Sequence, residues 1–160
     1  IDTPGIFTPK RRLDRAMVAA AWDGLDGADE VLLLVDAPSY AAGSGSGRAD
    51  AAARRAASDT DAIIDALKQK TIKSVLVLNK IDSIARPSLL PLVELLNARG
   101  LFSDTFLISA TNGDGLRELK DFIIARAPAG EWMYPEDQLS DISERLLAAE
   151  ITRGVSTPLP

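Results

Sequence analysis

Four consecutive residues, Asn79-Lys80-Ile81-Asp82, have the types and order to read a purine base. A carboxylate at Asp82 can accept two hydrogen bonds, from the ring N–H and the exocyclic amino group of guanine; adenine offers no such pair of donors on that edge. The aliphatic stem of Lys80 can lie along a base while its ammonium stays in water. The Asn79 amide can tie neighbouring loops together. The quartet follows the apolar run Ser74-Val75-Leu76-Val77-Leu78. It therefore falls at the C-terminal end of a buried strand, where open α/β sheets place their ligand sites. Two further stretches suit strand ends: Asp2-Thr3-Pro4-Gly5 and Ser109-Ala110. In the first, Pro4 fixes φ and Gly5 admits close backbone approach. Each stretch alone is more often an ordinary turn. Their ordered occurrence at three strand ends is what sets them apart from chance turns.

These residues need a scaffold, and the hydrophobic patterning supplies one. The spacing predicts a helix over 9–25, with Leu13, Ala16, Met17, Ala20 and Ala21 on one stripe. Val31 to Val35 reads as a central parallel strand buried on both faces. The stretch 41–57, with Gly43-Ser44-Gly45-Ser46-Gly47 followed by an alanine-rich run, reads as a surface excursion with little to bury. An amphipathic helix over 59–70 carries Ile63, Ile64 and Leu67, and a strand covers 74–78. Ser88 is placed as an N-cap, with Pro91 in the first turn and Gly100 closing that helix. A third buried strand covers 105–109. Asn112-Gly113-Asp114-Gly115 caps a helix bearing Leu116, Leu119, Phe122 and Ile123. A break over 128–135 precedes one more amphipathic helix marked by Leu139, Ile142, Leu146 and Ala149. The alternation predicts an α/β fold, a parallel sheet with helices on both faces. Only three strands are visible, and Ile1-Asp2-Thr3-Pro4-Gly5 reads as a strand running into a turn, so further strands are expected upstream of Ile1.

Composition narrows the chemistry. The 160 residues suffice for one domain with a real core, and 46% are apolar. No apolar run approaches the roughly 20 residues that span a bilayer. With no cysteine there is neither a disulfide framework nor a thiolate metal site, which fits a reducing compartment. With no histidine the commonest general base and metal ligand are missing. A net charge of −5 disfavours nucleic-acid binding by bulk electrostatics.

Taken together, the motifs resemble those of the Era GTPases, bacterial ribosome-assembly factors within the translation-factor-related (TrmE-Era-EngA-like) GTPases. The resemblance is carried by Asp2-Thr3-Pro4-Gly5-Ile6-Phe7-Thr8-Pro9, Arg12-Leu13, Ala16-Met17-Val18, Asn79-Lys80-Ile81-Asp82 and Ser109-Ala110. It continues through Tyr134-Pro135-Glu136-Asp137-Gln138-Leu139-Ser140-Asp141, Glu144-Arg145 and Ala149-Glu150-Ile151-Thr152-Arg153. It implies a three-layer P-loop NTPase-like (Rossmann-like) fold with its N-terminal strands missing. The implied division is a partial GTPase domain over 1–130, a linker and first helix leading to a KH domain over 131–153, and an unstructured tail over 154–160.

The resemblance also implies GTP or GDP as ligand, with Mg²⁺ in the intact parent. Asp2 would hold the metal through a water, as a carboxylate suits a hard cation, and Thr3 and Pro4 would shape that turn. The Gly5 N–H would approach the γ-phosphate. Ile6 stands where Ras-like proteins place a water-orienting Gln; an apolar side chain cannot orient water, so another group must. The helix over 9–25 would be the mobile switch helix. Lys80 and Asp82 would stack on and select guanine, with Asn79 and Ile81 completing the quartet. Ser109 would stabilise its loop, and the Ala110 N–H would bond guanine O6. Implied partners are the guanine nucleotide and, through the missing KH domain, small-subunit rRNA and the 30S subunit. A cytoplasmic, monomeric protein with peripheral inner-membrane association is implied too.

The departures are as informative. A GTPase cradles phosphates in a Gly-x-x-x-x-Gly-Lys-Ser/Thr loop, and no such match exists here. The first switch, with its Mg²⁺-binding Thr, and most of a KH domain are likewise absent. Three readings stay open: part of a working GTPase, a phosphate-loop-less remnant that acts as a binding module, and a non-functional fragment. A double-GTPase ribosome factor and a tRNA-modification GTPase fit less well, given the Ile-Phe-x-Pro after Gly5 and the Pro135-Glu136-Asp137 tail.

Overall fold

The computed structural model describes residues 12–25, 27–45 and 50–130. The elements are α1 (Arg12–Asp23), β1 (Leu32–Asp36), α2 (Ala37–Ser44), α3 (Ala51–Gln69), β2 (Ser74–Asn79), a 3-10 turn (Ile81–Ser83), α4 (Arg86–Asn97), β3 (Phe102–Leu107) and α5 (Leu116–Arg126). The turn expected at 2–5, the helix marked by Leu139 to Ala149 and the tail lie outside the described residues.

The strands form a parallel sheet in the order β1-β2-β3. The register pairs Leu32 with Val75 and ends on Asp36 opposite Asn79, so β1 and β2 finish level. β2 is central, with every residue from Ser74 to Leu78 at 0% exposure. One of its faces packs Leu76 and Leu78 with Ile64 and Leu67 of α3 and Leu92 and Leu96 of α4. The other packs Val75 and Val77 with Leu119 and Phe122 of α5. This is the helix-sheet-helix layering expected of alternating strands and helices.

Several boundaries differ from expectation, each for a local reason. β1 is not buried on both faces: Leu34 is 62% exposed, and among the described residues β1 pairs only with β2. β3 begins earlier, at Phe102, and is mostly half-buried. A register irregularity between Ser74 and Leu76 absorbs an extra β3 residue, which draws the ladder toward Phe102. Ile108 still donates its N–H to Leu78 O (2.8 Å) before the chain turns away at Ser109. In α1 Ala21 is buried and Trp22 packs on the core, as does Leu25 just beyond the helix, while Ala16 and Ala20 are exposed. In α4 the N-cap is Ala85 rather than Ser88, the first-turn proline is Pro87, and Pro91 lies inside the helix. The missing Pro91 N–H costs the helix a bond there, while Leu92 and Leu96 anchor it to the core.

The largest difference is at 41–57. Asp36 caps α2 through Ser39 N–H (2.9 Å); Asp50 caps α3 through Ala53 N–H (2.7 Å). The two helices pack closely, and Tyr40, Ala37 and Ala57 are core residues. Small residues permit this: a Cβ on Gly43 would lie 2.1 Å from Ala53 O. Alanine here is an interface residue, not filler. Among the described residues no helix is long and apolar enough to cross a membrane.

Candidate nucleotide-base site

The carboxyl ends of β1, β2 and β3 meet at one edge. Asn79, the last residue of β2, is the joint. Its Oδ1 accepts from the Lys80 N–H (2.8 Å) and from the Ala110 N–H (3.1 Å), joining the β2 end to the loop after β3. The expectation that this amide ties loops together therefore holds. The Ile81 N–H adds a second tie, to Ile108 O (3.2 Å).

Lys80 adopts the left-handed region at φ 63°, which is uncommon for a residue with a Cβ. The bond from its own N–H to the preceding side chain helps hold it there. Its Nζ reaches across to Asp36 Oδ2 at 2.8 Å. The Asp36 carboxylate raises the Lys80 ammonium above its ordinary value. In Asp36 itself, partial burial pushes the carboxyl up. The Lys80 ammonium and the Ser39 amide outweigh that and hold it below the usual range.

Asp82 lies in the 3-10 turn and is exposed. The Ser109 hydroxyl, then the Ser83 hydroxyl (3.0 Å from Oδ2), hold its carboxyl below the ordinary value, so it is an anion at neutral pH. An exposed, ionised, two-oxygen acceptor is what a paired N–H and amino edge requires.

Ser109 is fully buried and organises its loop. Its N–H donates to Asp114 O (2.9 Å), its carbonyl accepts from Gly113 N (2.8 Å), and its Oγ accepts from Asn112 N (3.2 Å). Gly115 closes the loop at φ +70°, and a Cβ there would lie 2.1 Å from Leu107 O. Among the expected site residues, Asn79, Lys80, Ile81, Asp82, Ser109 and Ala110 are thus brought to one place. Asp2, Thr3, Pro4, Gly5 and Ile6 lie outside the described residues. Among the described residues no group of three or more acidic side chains, His or Cys is placed to hold a metal ion.

Asp36 was not among the expected site residues. The Asp36-Ala37-Pro38 sequence after an apolar run is a helix-start signature that could have flagged it.

No protein-family model matches the chain. Curated relatives do. GTPase Era of Agrobacterium fabrum is 47% identical over 153 residues, covering 96% of this chain and 44% of the relative. GTPase Era of Erythrobacter litoralis is 44% identical, with 96% and 45% covered. GTPase Era of Caulobacter vibrioides is 47% identical, with 96% and 48% covered. Among solved structures, an Aquifex aeolicus Era variant bound to GDP.AlF4- matches with a TM-score of 0.68 and 34% identity, covering 95% of this chain and 47% of that one. The resemblance carried by the motifs is borne out: nearly the whole chain is homologous to GTPase Era and shares its α/β fold. The chain spans about half the length of the curated relatives it matches.

Proposed function

We propose, from this homology to GTPase Era, that the chain carries the guanine-reading part of an Era-type GTP-binding protein. The observation that carries the reading is the convergence of Asn79, Lys80, Asp82, Ser109 and Ala110 at three adjoining strand ends. In this reading Asp82 accepts the ring N–H and amino group of guanine. The Lys80 stem covers one face of the base, Ile81 spaces the two, and the Ala110 N–H, which donates to Asn79 Oδ1 in the ligand-free chain, would be shared with guanine O6. Ser109 holds the loop that presents that N–H.

The activity of the whole protein is part of the same proposal. It is GTP hydrolysis coupled to assembly of the small ribosomal subunit, with small-subunit rRNA and the 30S particle bound through a KH domain. Peripheral contact with the inner membrane, a monomeric state and a cytoplasmic location complete it. In the domain division proposed, residues 1–130 form part of the GTPase domain, 131–153 lead toward the KH domain and 154–160 are a tail. Mg²⁺ would be held through Asp2, in a turn with Thr3, Pro4 and Gly5 that faces the γ-phosphate and is followed by the apolar Ile6. The Aquifex aeolicus protein, by its name, was captured with GDP.AlF4-, which is the ligand class this reading requires.

A second reading rests on the base-reading residues alone. It makes the chain a binding module that recognises guanine, or a partner, without phosphate chemistry. A titration of this chain with GMP and AMP, followed by NMR, tests the shared core of both readings. GMP should shift the Asp82 and Ala110 amides at millimolar concentration while AMP does not, and Asp82→Ala should abolish the preference. Equal response to the two nucleotides would remove the guanine assignment.

A further inference from the structure

We propose that Asp36 is a positioning residue for the base seat: it anchors the Lys80 ammonium so that the lysine stem stays drawn across the edge where the base rests and Asp82 stays free to accept from it. The proposal rests on the guanine reading above and adds to it a residue on a different strand.

The argument is geometric. β1 and β2 end level, Asp36 opposite Asn79. Lys80 follows directly, turned by its left-handed backbone, and its Nζ meets Asp36 Oδ2 at 2.8 Å. The lysine side chain therefore spans sideways from β2 to the end of β1. Its side chain remains 59% exposed, so the head is fixed while much of the stem is open to a ligand. Asp36 is itself fixed, because its other oxygen, Oδ1, accepts from Ser39 N–H at the start of α2. The two oxygens of one carboxylate thus hold a helix end and a lysine head.

Anchoring matters because of the alternative. The other carboxylate that acts on Lys80 is Asp82. A lysine released from Asp36 would be drawn toward it. An ammonium on Asp82 would occupy lone pairs that the base edge needs, and would leave the four-carbon stem to be ordered at binding. Among the described residues, the further partners of the two carboxylates are Ser39 on Asp36, and Ser83 and Ser109 on Asp82. None of them offers Lys80 a third anion.

Asp36→Asn separates the two jobs of the residue. Asparagine caps a helix about as well as aspartate, so α2 keeps its start while the charge on Lys80 is lost. In NMR titrations of this chain, Asp36→Asn should weaken GMP binding about three-fold, the order expected for a partly exposed ion pair, and leave AMP unchanged. In a Lys80→Met background the same substitution should have no further effect. In the free protein, the slowly exchanging Lys80 ammonium signal should be lost in Asp36→Asn, with the melting temperature nearly that of the wild type. Wild-type GMP affinity in Asp36→Asn, or an equal loss in the Lys80→Met background, would overturn the proposal. If Asp82→Ala loses GMP while Asp36→Asn does not, only the Asp36 assignment falls. If GMP does not bind, or binds as AMP does, the guanine reading falls and takes this proposal with it.

Discussion

Gly115 and Asp36 show how single residues set the geometry of the strand-end edge. Gly115 sits at φ +70° with the Leu107 carbonyl 2.1 Å from where a Cβ would stand. Backbone meets backbone there, so no rotamer change relieves it. Gly115→Ala should destabilise the chain by about 1–3 kcal/mol, the cost of one enforced backbone strain, measured by urea unfolding. The Ala110 amide should move with it, because Ser109 N–H is bound to Asp114 O in the same loop. Asp36 makes a pH-dependent contribution. Its folded carboxyl is held below the ordinary 3.8, burial being outweighed by Lys80 and Ser39. That stabilisation is complete above the unfolded value and is lost as pH falls through the folded one. The stability gap between wild type and Asp36→Asn should therefore close as pH falls through 3.8 and below it. With Asp36 about a third exposed, the gap at neutral pH should not exceed about 1 kcal/mol. A gap that widens on acidification would contradict this ion pair. Asn79, Lys80, Asp82, Ser109 and Ala110 were legible because their chemistry is local in the chain. Asp36 was not, because its link to Lys80 exists only once two strands lie in register.

At the scale of elements, the apolar runs marked three strands and α5, and the alternation marked the parallel sheet. What they could not mark was α2 and the first half of α3, since glycine, serine and alanine carry almost no hydrophobic signal. Their contribution is closeness: Gly43 lets α2 approach Ala53 and Ala57 of α3, and Tyr40 then reaches the core at 2% exposure. The tyrosine hydroxyl donates to Asp61 Oδ1 (2.9 Å), and the same carboxylate takes Arg99 from beyond α4. Arg99 also lies 3.8 Å from Asp65, and Lys68 Nζ donates to its carbonyl (3.2 Å). Burial and the Asp61 carboxylate both push the Tyr40 phenol up, so it remains a donor. Strand ends were also misjudged, because β3 is set by its register with β2 and not by its own apolar content. Gly43→Ala tests the helix pair. Its Cβ would meet the Ala53 carbonyl and the Ala57 Cβ at 2.1 and 2.8 Å, and two helices cannot yield as one side chain can. The expected loss is about 1–3 kcal/mol, as for other overpacked cores. It should be accompanied by faster amide exchange in α2; a neutral substitution would mean that the helices do not pack at this distance.

For the molecule as a whole, the proposed base-reading edge and the phosphate chemistry are separable. The edge is built from β1, β2, β3 and the loops that follow them, all within one packed body. Phosphoryl transfer needs something else: backbone donors and a lysine around the β- and γ-phosphates, a metal ion, and a positioned water. Most of the rate enhancement comes from that preorganised charge. Nothing in these 160 residues matches the glycine-lysine loop, and no described acidic cluster could hold a metal. The only expected metal contact is Asp2. This chain, assayed by itself with GTP and Mg²⁺, should release phosphate no faster than buffer, even at nucleotide concentrations that fill the base site. Phosphate release is the measurement, with Asp82→Ala as the control. Turnover that disappears in Asp82→Ala would show that a base-anchored GTP finds its phosphate chemistry within this chain, and the separation argued here would fail. Release that is equal in both proteins, at the buffer rate, is the outcome this separation requires: the groups that perform hydrolysis are not among these residues.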